Sequence, residues 1–183
     1  MPSCAGQQRG SKVAIVIDFE TTFGVDPGSP AGVQVPYINE SLTGNRSQNQ
    51  SEVIDGSKNP APPFQGNTEV SGDITVPIDQ RYFAYWMKAL LGPPTTTGAG
   101  PYTHVFKVDD TICNPSMVYQ KNFADVPRFF KYNGVKIASM ALSIGGDGEP
   151  QATFSLVGAS VSDSASDYDA SPTTHTLEMF RPT

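Results

Sequence analysis

Apolar and polar residues alternate with a period of two over residues 70–78: Val70, Gly72, Ile74, Val76 and Ile78 fall on one side, with Ser71, Asp73, Thr75 and Pro77 on the other. That spacing predicts a half-buried β-strand. Residues 13–19 form a continuous β-branched run, which predicts a strand covered at least partly on both faces. Residues 33–38 read as a short strand that Pro36 confines to an edge or a bulge. The period then changes. Tyr82, Phe83, Trp86, Met87, Leu90 and Leu91 recur at helical spacing and predict one helix over about 80–91. Asp79 is placed to cap its start, and Gly92-Pro93-Pro94 stops it. The simplest role of this aromatic stripe is to dock the helix on a sheet.

The remainder reads as antiparallel strands. Residues 95–100 are expected to be a linker, followed by strands over 103–108, 116–123 and 128–132. Asn133-Gly134 is a strong short hairpin signal. The return strand, 135–144, slips phase between Ile137 and Met140, which a β-bulge at Ala138-Ser139 would explain. Gly145-Gly146-Asp147-Gly148 reads as the next turn and 152–157 as the next strand. Residues 160–174 are expected to be an exposed tail, with one more short strand at 176–180. The fold class is mainly β: an antiparallel β-sandwich or barrel with one flanking helix and a long loop. The organisation expected is a flexible tail over 1–12, a β domain over 13–160, and over 161–183 a linker and the start of a further segment.

The long loop is residues 40–66. Asn, Gln, Ser, Gly and Pro dominate it, and only Leu42, Val53, Ile54 and Phe64 are large and apolar. So long a stretch with so few anchors is expected to be functional, poorly ordered on its own core, or held by a neighbour.

Charge changes the picture by exclusion. Charged residues make up 16% of the chain and the net charge is −6, which argues against a nucleic-acid reader with a basic patch. The N-terminal residues lack the apolar core of a secretory signal, and the run 13–17 is too short to span a bilayer, so use without secretory export is expected. The three Asn-x-Ser sequons, at Asn39, Asn45 and Asn49, then read as accidents of a polar loop. Cys4 and Cys113 lack the spacing of a zinc site, and nothing in the sequence supports pairing them.

Catalytic signatures are missing. The chain has no GxSxG, HExxH, P-loop or GxGxxG motif, and His104 and His175 stand far apart. Asp18 and Glu20 share one side of a strand and could in principle do acid–base work, but a solvated strand end is the simpler reading. Asp109-Asp110 reads as a turn. Asp147 lacks the spacing of a calcium loop, and its glycine-rich turn opens no helix that could hold a phosphate. No catalytic, cofactor or metal residues are expected.

Several short strings, in order, resemble a known family. They are Glu20-Thr21-Thr22-Phe23-Gly24, Glu40-Ser41-Leu42-Thr43, Ile54-Asp55-Gly56-Ser57-Lys58, the strand 70–77, a helix ending in Leu90-Leu91-Gly92, Tyr102-Thr103-His104-Val105-Phe106, Tyr132-Asn133-Gly134-Val135 and 154–159. Together they resemble the tail tube proteins of long-tailed bacteriophages and their prophage relatives. The family often has Arg where Lys58 stands, and its members are often longer. The resemblance implies a β-sandwich with a flanking helix and a structural subunit of the virion tail, made in the host cytoplasm. It implies hexameric rings joined edge to edge and stacked around a tape-measure protein, with DNA passing later through the lumen. It also makes 40–66 the expected contact between rings, with Leu42, Arg46, Val53, Ile54, Lys58 and Phe64 as candidate contact residues. Alternatives are another ring or connector subunit of the same fold, or a carbohydrate-binding sandwich using Phe129, Phe130 and Tyr132.

Overall fold

The structure is a computed structural model that describes residues 7–54, 56, 58–59, 61–109, 111–145 and 148–180. Its strands are β1 (Val13–Phe19), β2 (Val33–Val35), β3 (Asn39–Glu40), β4 (Thr43–Asn49), β5 (Phe64–Pro77), β6 (Thr95–Thr97), β7 (Thr103–Val105), β8 (Met117–Phe123), β9 (Arg128–Ser143), β10 (Gln151–Gly158) and β11 (Ser160–Ser164). Helix α1 spans Phe83–Leu91. The main sheet is antiparallel in the order β2-β1-β8-β9-β10-β5-β3, with β4 also on β5 and β11 also on β9. It curls into a half-barrel. β6, in the stretch expected as a linker, pairs with β7, which lies where a strand was expected, as a separate small hairpin.

The curl depends on β9, a 16-residue strand that serves both halves of the sheet. Its first half pairs with β8 and β11, and its second half pairs with β10. Asn133-Gly134 is therefore not a hairpin turn, as expected, but the middle of a continuous strand. Met117 faces Val135 and Tyr119 faces Tyr132, so two residues of β9 stand opposite Val118 alone. That is a bulge, and it bends the strand. Gly134 takes φ +66°, and a Cβ there would lie 2.8 Å from the Cβ of Ala159 and 3.0 Å from Phe23. The Asn-Gly pair thus supplies the left-handed conformation for a bend rather than for a turn. The second bulge lies where phase analysis puts it: Ser155 faces Ser139 and Leu156 faces Ile137, leaving Ala138 over.

The core fills the concave side. Ile15 and Ile17, Ile74 and Val76, and Phe154 and Leu156 meet there, all essentially inaccessible. α1 closes it by laying Trp86 on Phe154, with centroids 5.2 Å apart and rings 17° from parallel. The stripe of apolar residues docks the helix as expected. The Asp79 carboxylate accepts the backbone N–H groups of Arg81, Tyr82 and Phe83, each at 3.0 Å, which satisfies donors the first helical turn leaves free.

The tail is exposed over most of 160–174, as expected, but it folds back on the body. Residues 160–164 are β11, and 165–180 cross the molecule as a strap. The Tyr168 hydroxyl donates to Asp18 at 2.9 Å, and Gly32 N–H donates to Asp169 at 2.9 Å. Thr173 bridges to Val33, and His175 N–H donates to the Tyr82 hydroxyl at 2.6 Å. Over 176–180 there is only an isolated bridge from Met179 to Asp79, not a strand. The strap explains why both faces of β1 are covered.

Trp86→Ala removes the largest fully buried side chain and is expected to cost about 3–5 kcal/mol. Urea unfolding checks this: the midpoint should fall with the slope unchanged.

Candidate assembly surface

The stretch expected as an irregular loop is largely a β-hairpin arm. β4 pairs with the first half of β5 from Thr43↔Ser71 out to Asn49↔Phe64, with one register shift near Ser47. Nearly all of β4 is exposed on both faces. Backbone pairing holds it, with help from the Arg46 guanidinium, which donates to the carbonyl of Gly66 at 2.9 Å. The described residues between Asn49 and Phe64 form the tip. Val53, Ile54 and Phe64 are 66, 95 and 57% exposed, and Lys58 is exposed as well.

Leu42 stands apart from the other five candidates. It is fully buried at the arm's foot, so its side chain belongs to the core and is not available for contact with another chain. Its carbonyl accepts from Lys121 Nζ at 3.3 Å and the Tyr132 hydroxyl at 3.2 Å. Gly72 lets the chain cross here, since a Cβ would sit 2.5 Å from the Leu42 Cα. Beside it, Lys121 pairs with Glu40 at 2.6 Å, with 14 and 7% of the two side chains exposed. Burial, then the charge of Glu40, pushes the Tyr119 hydroxyl well above its usual range. A buried pair like this fixes geometry more than it adds stability, and it fixes where the arm leaves the body.

Among the described residues, the half of the sheet built from β9, β10 and β5 has an open edge on each side. β8 and β10 lie on opposite sides of β9, and the pairing with β8 ends where Met117 faces Val135. The β8 side of 136–143 therefore has no strand partner. Leu142 lies on it and Ile144 just beyond its end, 50 and 69% exposed. At the far side of the sheet, β3 and β4 pair only with β5. The sequence pattern gave no sign of these edges.

The carboxylates expected at a solvated strand end are instead buried clamps. Asp18 and Glu20 are each 8% exposed. Glu20 accepts from Gly134 N–H at 2.7 Å, Gly24 N–H at 2.7 Å and the Ser116 hydroxyl at 2.6 Å. Asp18 accepts from Phe19 N–H, Ala31 N–H and Tyr168. Their lone pairs are committed to structure, and their burial as a strand leaves the sheet is the signal that sequence reading lacked. His104 sits on β7 against Thr96 at 2.8 Å, remote from them. Phe130 packs edge-on against Phe123 at 5.7 Å, and Tyr132 is buried. Among the described residues no group of three or more His, Cys, Asp or Glu is placed to hold a metal ion, and no helix is long and apolar enough to cross a membrane. Cys113 is free and exposed. Cys4, Asp110 and Asp147 lie outside the described residues.

The family model described as phage tail tube protein matches residues 10–183. The chain belongs to the phage tail tube protein family. A tail tube protein is a structural part of the virion tail, not an enzyme. No curated protein sequence matches the chain. Among solved structures, this tail tube protein is similar in fold to a chain of the anti-feeding prophage baseplate, with a TM-score of 0.50, 8% identity, and 89 and 97% of the two chains covered. It also matches a chain of a gene transfer agent virion (TM-score 0.47, 11% identity, 86 and 98% covered) and the SPP1 tail tube (0.40, 14%, 85 and 78%).

The pH dependence of the fold can be read at Asp26, which takes hydrogen bonds from Lys131 and from Asn133 next to the bulge. Burial alone would raise its pKa, but the bonds from Lys131 and Asn133 and the charge of Lys131 outweigh it, so the carboxyl is held below its usual value. A depressed folded value means that its contribution is present above the unfolded value of about 3.9 and lost as pH falls through the folded one. Asp26→Asn should therefore be less stable than the parent at pH 7, and the gap should narrow in acid-titrated urea melts as pH falls through the folded value.

Proposed function

We propose that this tail tube subunit joins copies of itself edge to edge into rings, and that the rings stack through the hairpin arm into the tube through which DNA leaves the virion. The observation that carries this is one curled sheet whose β9–β10–β5 half has an open edge on each side. An open edge is a template for another strand. When the two edges differ, pairing is head to tail, and it closes into a ring where the rotation permits. Joining the β9 edge of one copy to the β3–β4 edge of the next continues the sheet and covers Leu142 and Ile144. Six copies per ring is the number the family resemblance implies, and the anti-feeding prophage baseplate is described with six-fold symmetry.

The sheet face opposite the core suits a lumen. The register sets Asp73 beside Ser155 and Ser139, and Thr75 beside Thr153 and Ala141. The Ser155 hydroxyl donates to Asp73 at 2.6 Å, and Thr75 and Thr153 share a bond of 3.0 Å. These side chains are short and carry no cation, and Lys136, beside Val157 in the next row of the same face, holds its ammonium 5.7 Å from the centre of the Phe23 ring. A polyanion gains affinity by releasing counterions to Lys and Arg, so this face would let DNA or a tape-measure protein pass without holding it.

Purified protein at high concentration should form long tubes under negative-stain microscopy. Single closed rings would move the reading to a ring or connector subunit, and monomers alone would overturn it. Leu142→Lys/Ile144→Lys should leave the circular dichroism spectrum unchanged but give monomers by solution mass. Replacing 50–63 by a two-residue Asn-Gly turn should give folded subunits that do not grow into tubes, and normal tube growth would remove the arm from the reading.

A further inference from the structure

A cleft of about 480 Å³ opens at the foot of the arm, with Leu42 and Gly44 on one wall and Phe123, Phe130 and Val161 on the others. The walls are mostly apolar. We infer that the arm tip of one copy seats Val53 and Ile54 in this cleft on the next copy along the tube. The inference rests on the tube reading above and adds to it the surface that receives the arm.

Three observations support a second copy as the occupant. Ile54, at 95%, is the most exposed large apolar residue described, and Val53 beside it is 66% exposed. The chain thus carries an uncovered apolar knob as well as an uncovered apolar cleft. Second, an arm cannot fill its own cleft. From Gly44 on the cleft wall to Asn49, the ladder with β5 carries β4 away at about 3.3 Å per residue, about 17 Å in all, before the tip begins. Knob and cleft are therefore separate patches of one chain. Contact between them is head to tail and repeats without closing, which is the symmetry of a stack. Third, the charges match. Glu52 and Lys58 stand on either side of Val53 and Ile54 in the tip, both exposed. Asp163 lines the cleft and pairs with Arg128 at 3.1 Å, with both side chains more than half exposed. Glu52 can meet Arg128 while Lys58 meets Asp163. A lysine supplies a point charge where an arginine would supply a fork, so the contact tolerates small shifts of the tip.

The test uses assembled tubes of the full chain in a Cys4→Ser/Cys113→Ser background. Ile54→Cys and Val161→Cys are combined in one chain, and the tubes are treated with a short bifunctional thiol reagent. The expected result is a ladder of linked copies on a denaturing gel, absent from either single-cysteine variant. Tubes that form without the ladder would overturn the docking and leave the tube reading standing. If the parent protein forms no tubes, both readings fail. As a second measurement, Ile54→Asp should raise the concentration needed for tube growth at least tenfold while the solution mass still shows rings. Tube growth at the parent concentration would also overturn the docking.

Discussion

The bend in β9 is the constraint on which the rest of the structure depends. A straight 16-residue strand would make one flat sheet. The bulge at Asn133-Gly134 turns it, so that β8 and β11 flank one half and β10 the other. The bulge leaves the Gly134 N–H without a ladder partner, and the Glu20 carboxylate takes it. Hydrogen bonds to a charged acceptor contribute more than neutral ones, about 1.5–3 kcal/mol each. The same carboxylate holds Gly24 and Ser116, so one buried acid ties the end of β1, the following turn and the start of β8 to the bend.

The open edge follows from that geometry. Because β8 stops where β9 bends, the second half of β9 emerges with one side unpaired. A monomeric protein would blunt such an edge with lysines or proline. Here the edge reads Lys136-Ile137-Ala138-Ser139-Met140-Ala141-Leu142-Ser143, with its one charge at the inner end. The opposite edge, on β3 and β4, is equally unprotected. In a tail tube protein the unprotected edges are consistent with a subunit whose sheet is completed by its neighbours.

Sequence periodicity was legible wherever one face of an element rests on the core. Residues 13–19, 70–78, 80–91 and 152–157 came out as strand, strand, helix and strand, and even the bulge at Ala138 showed as a phase slip. Alternation reports burial, however, and not pairing. β4 pairs along its length but buries almost nothing, so Thr-Gly-Asn-Arg-Ser-Gln-Asn carries no pattern and read as loop. Asn-Gly encodes a left-handed residue, which serves a bulge as well as a turn, and local sequence does not say which. The strap at 165–180 is held by scattered single contacts of Tyr168, Asp169, Thr173 and His175, each invisible to any period. Leu42 looked like a loop residue because its polar neighbours hid the one position that reaches the core.

The polar character of the arm also bears on how such a subunit stays soluble before it assembles. A long hairpin with an apolar face would pair with any strand it met. This arm is ordered by backbone hydrogen bonds and the Arg46–Gly66 contact, with its large apolar residues confined to the tip and to Phe64. Its departure point is fixed by the buried Glu40–Lys121 pair and the bonds to the Leu42 carbonyl, groups that would be costly to leave unpaired. Direction is thus set by the body, and in the proposed stack adhesion falls to a few residues far from it. Under the stacking proposed above, a contact of that kind is weak for one arm and strong for a ring of arms engaged together, which would favour growth by whole rings over random pairing of subunits.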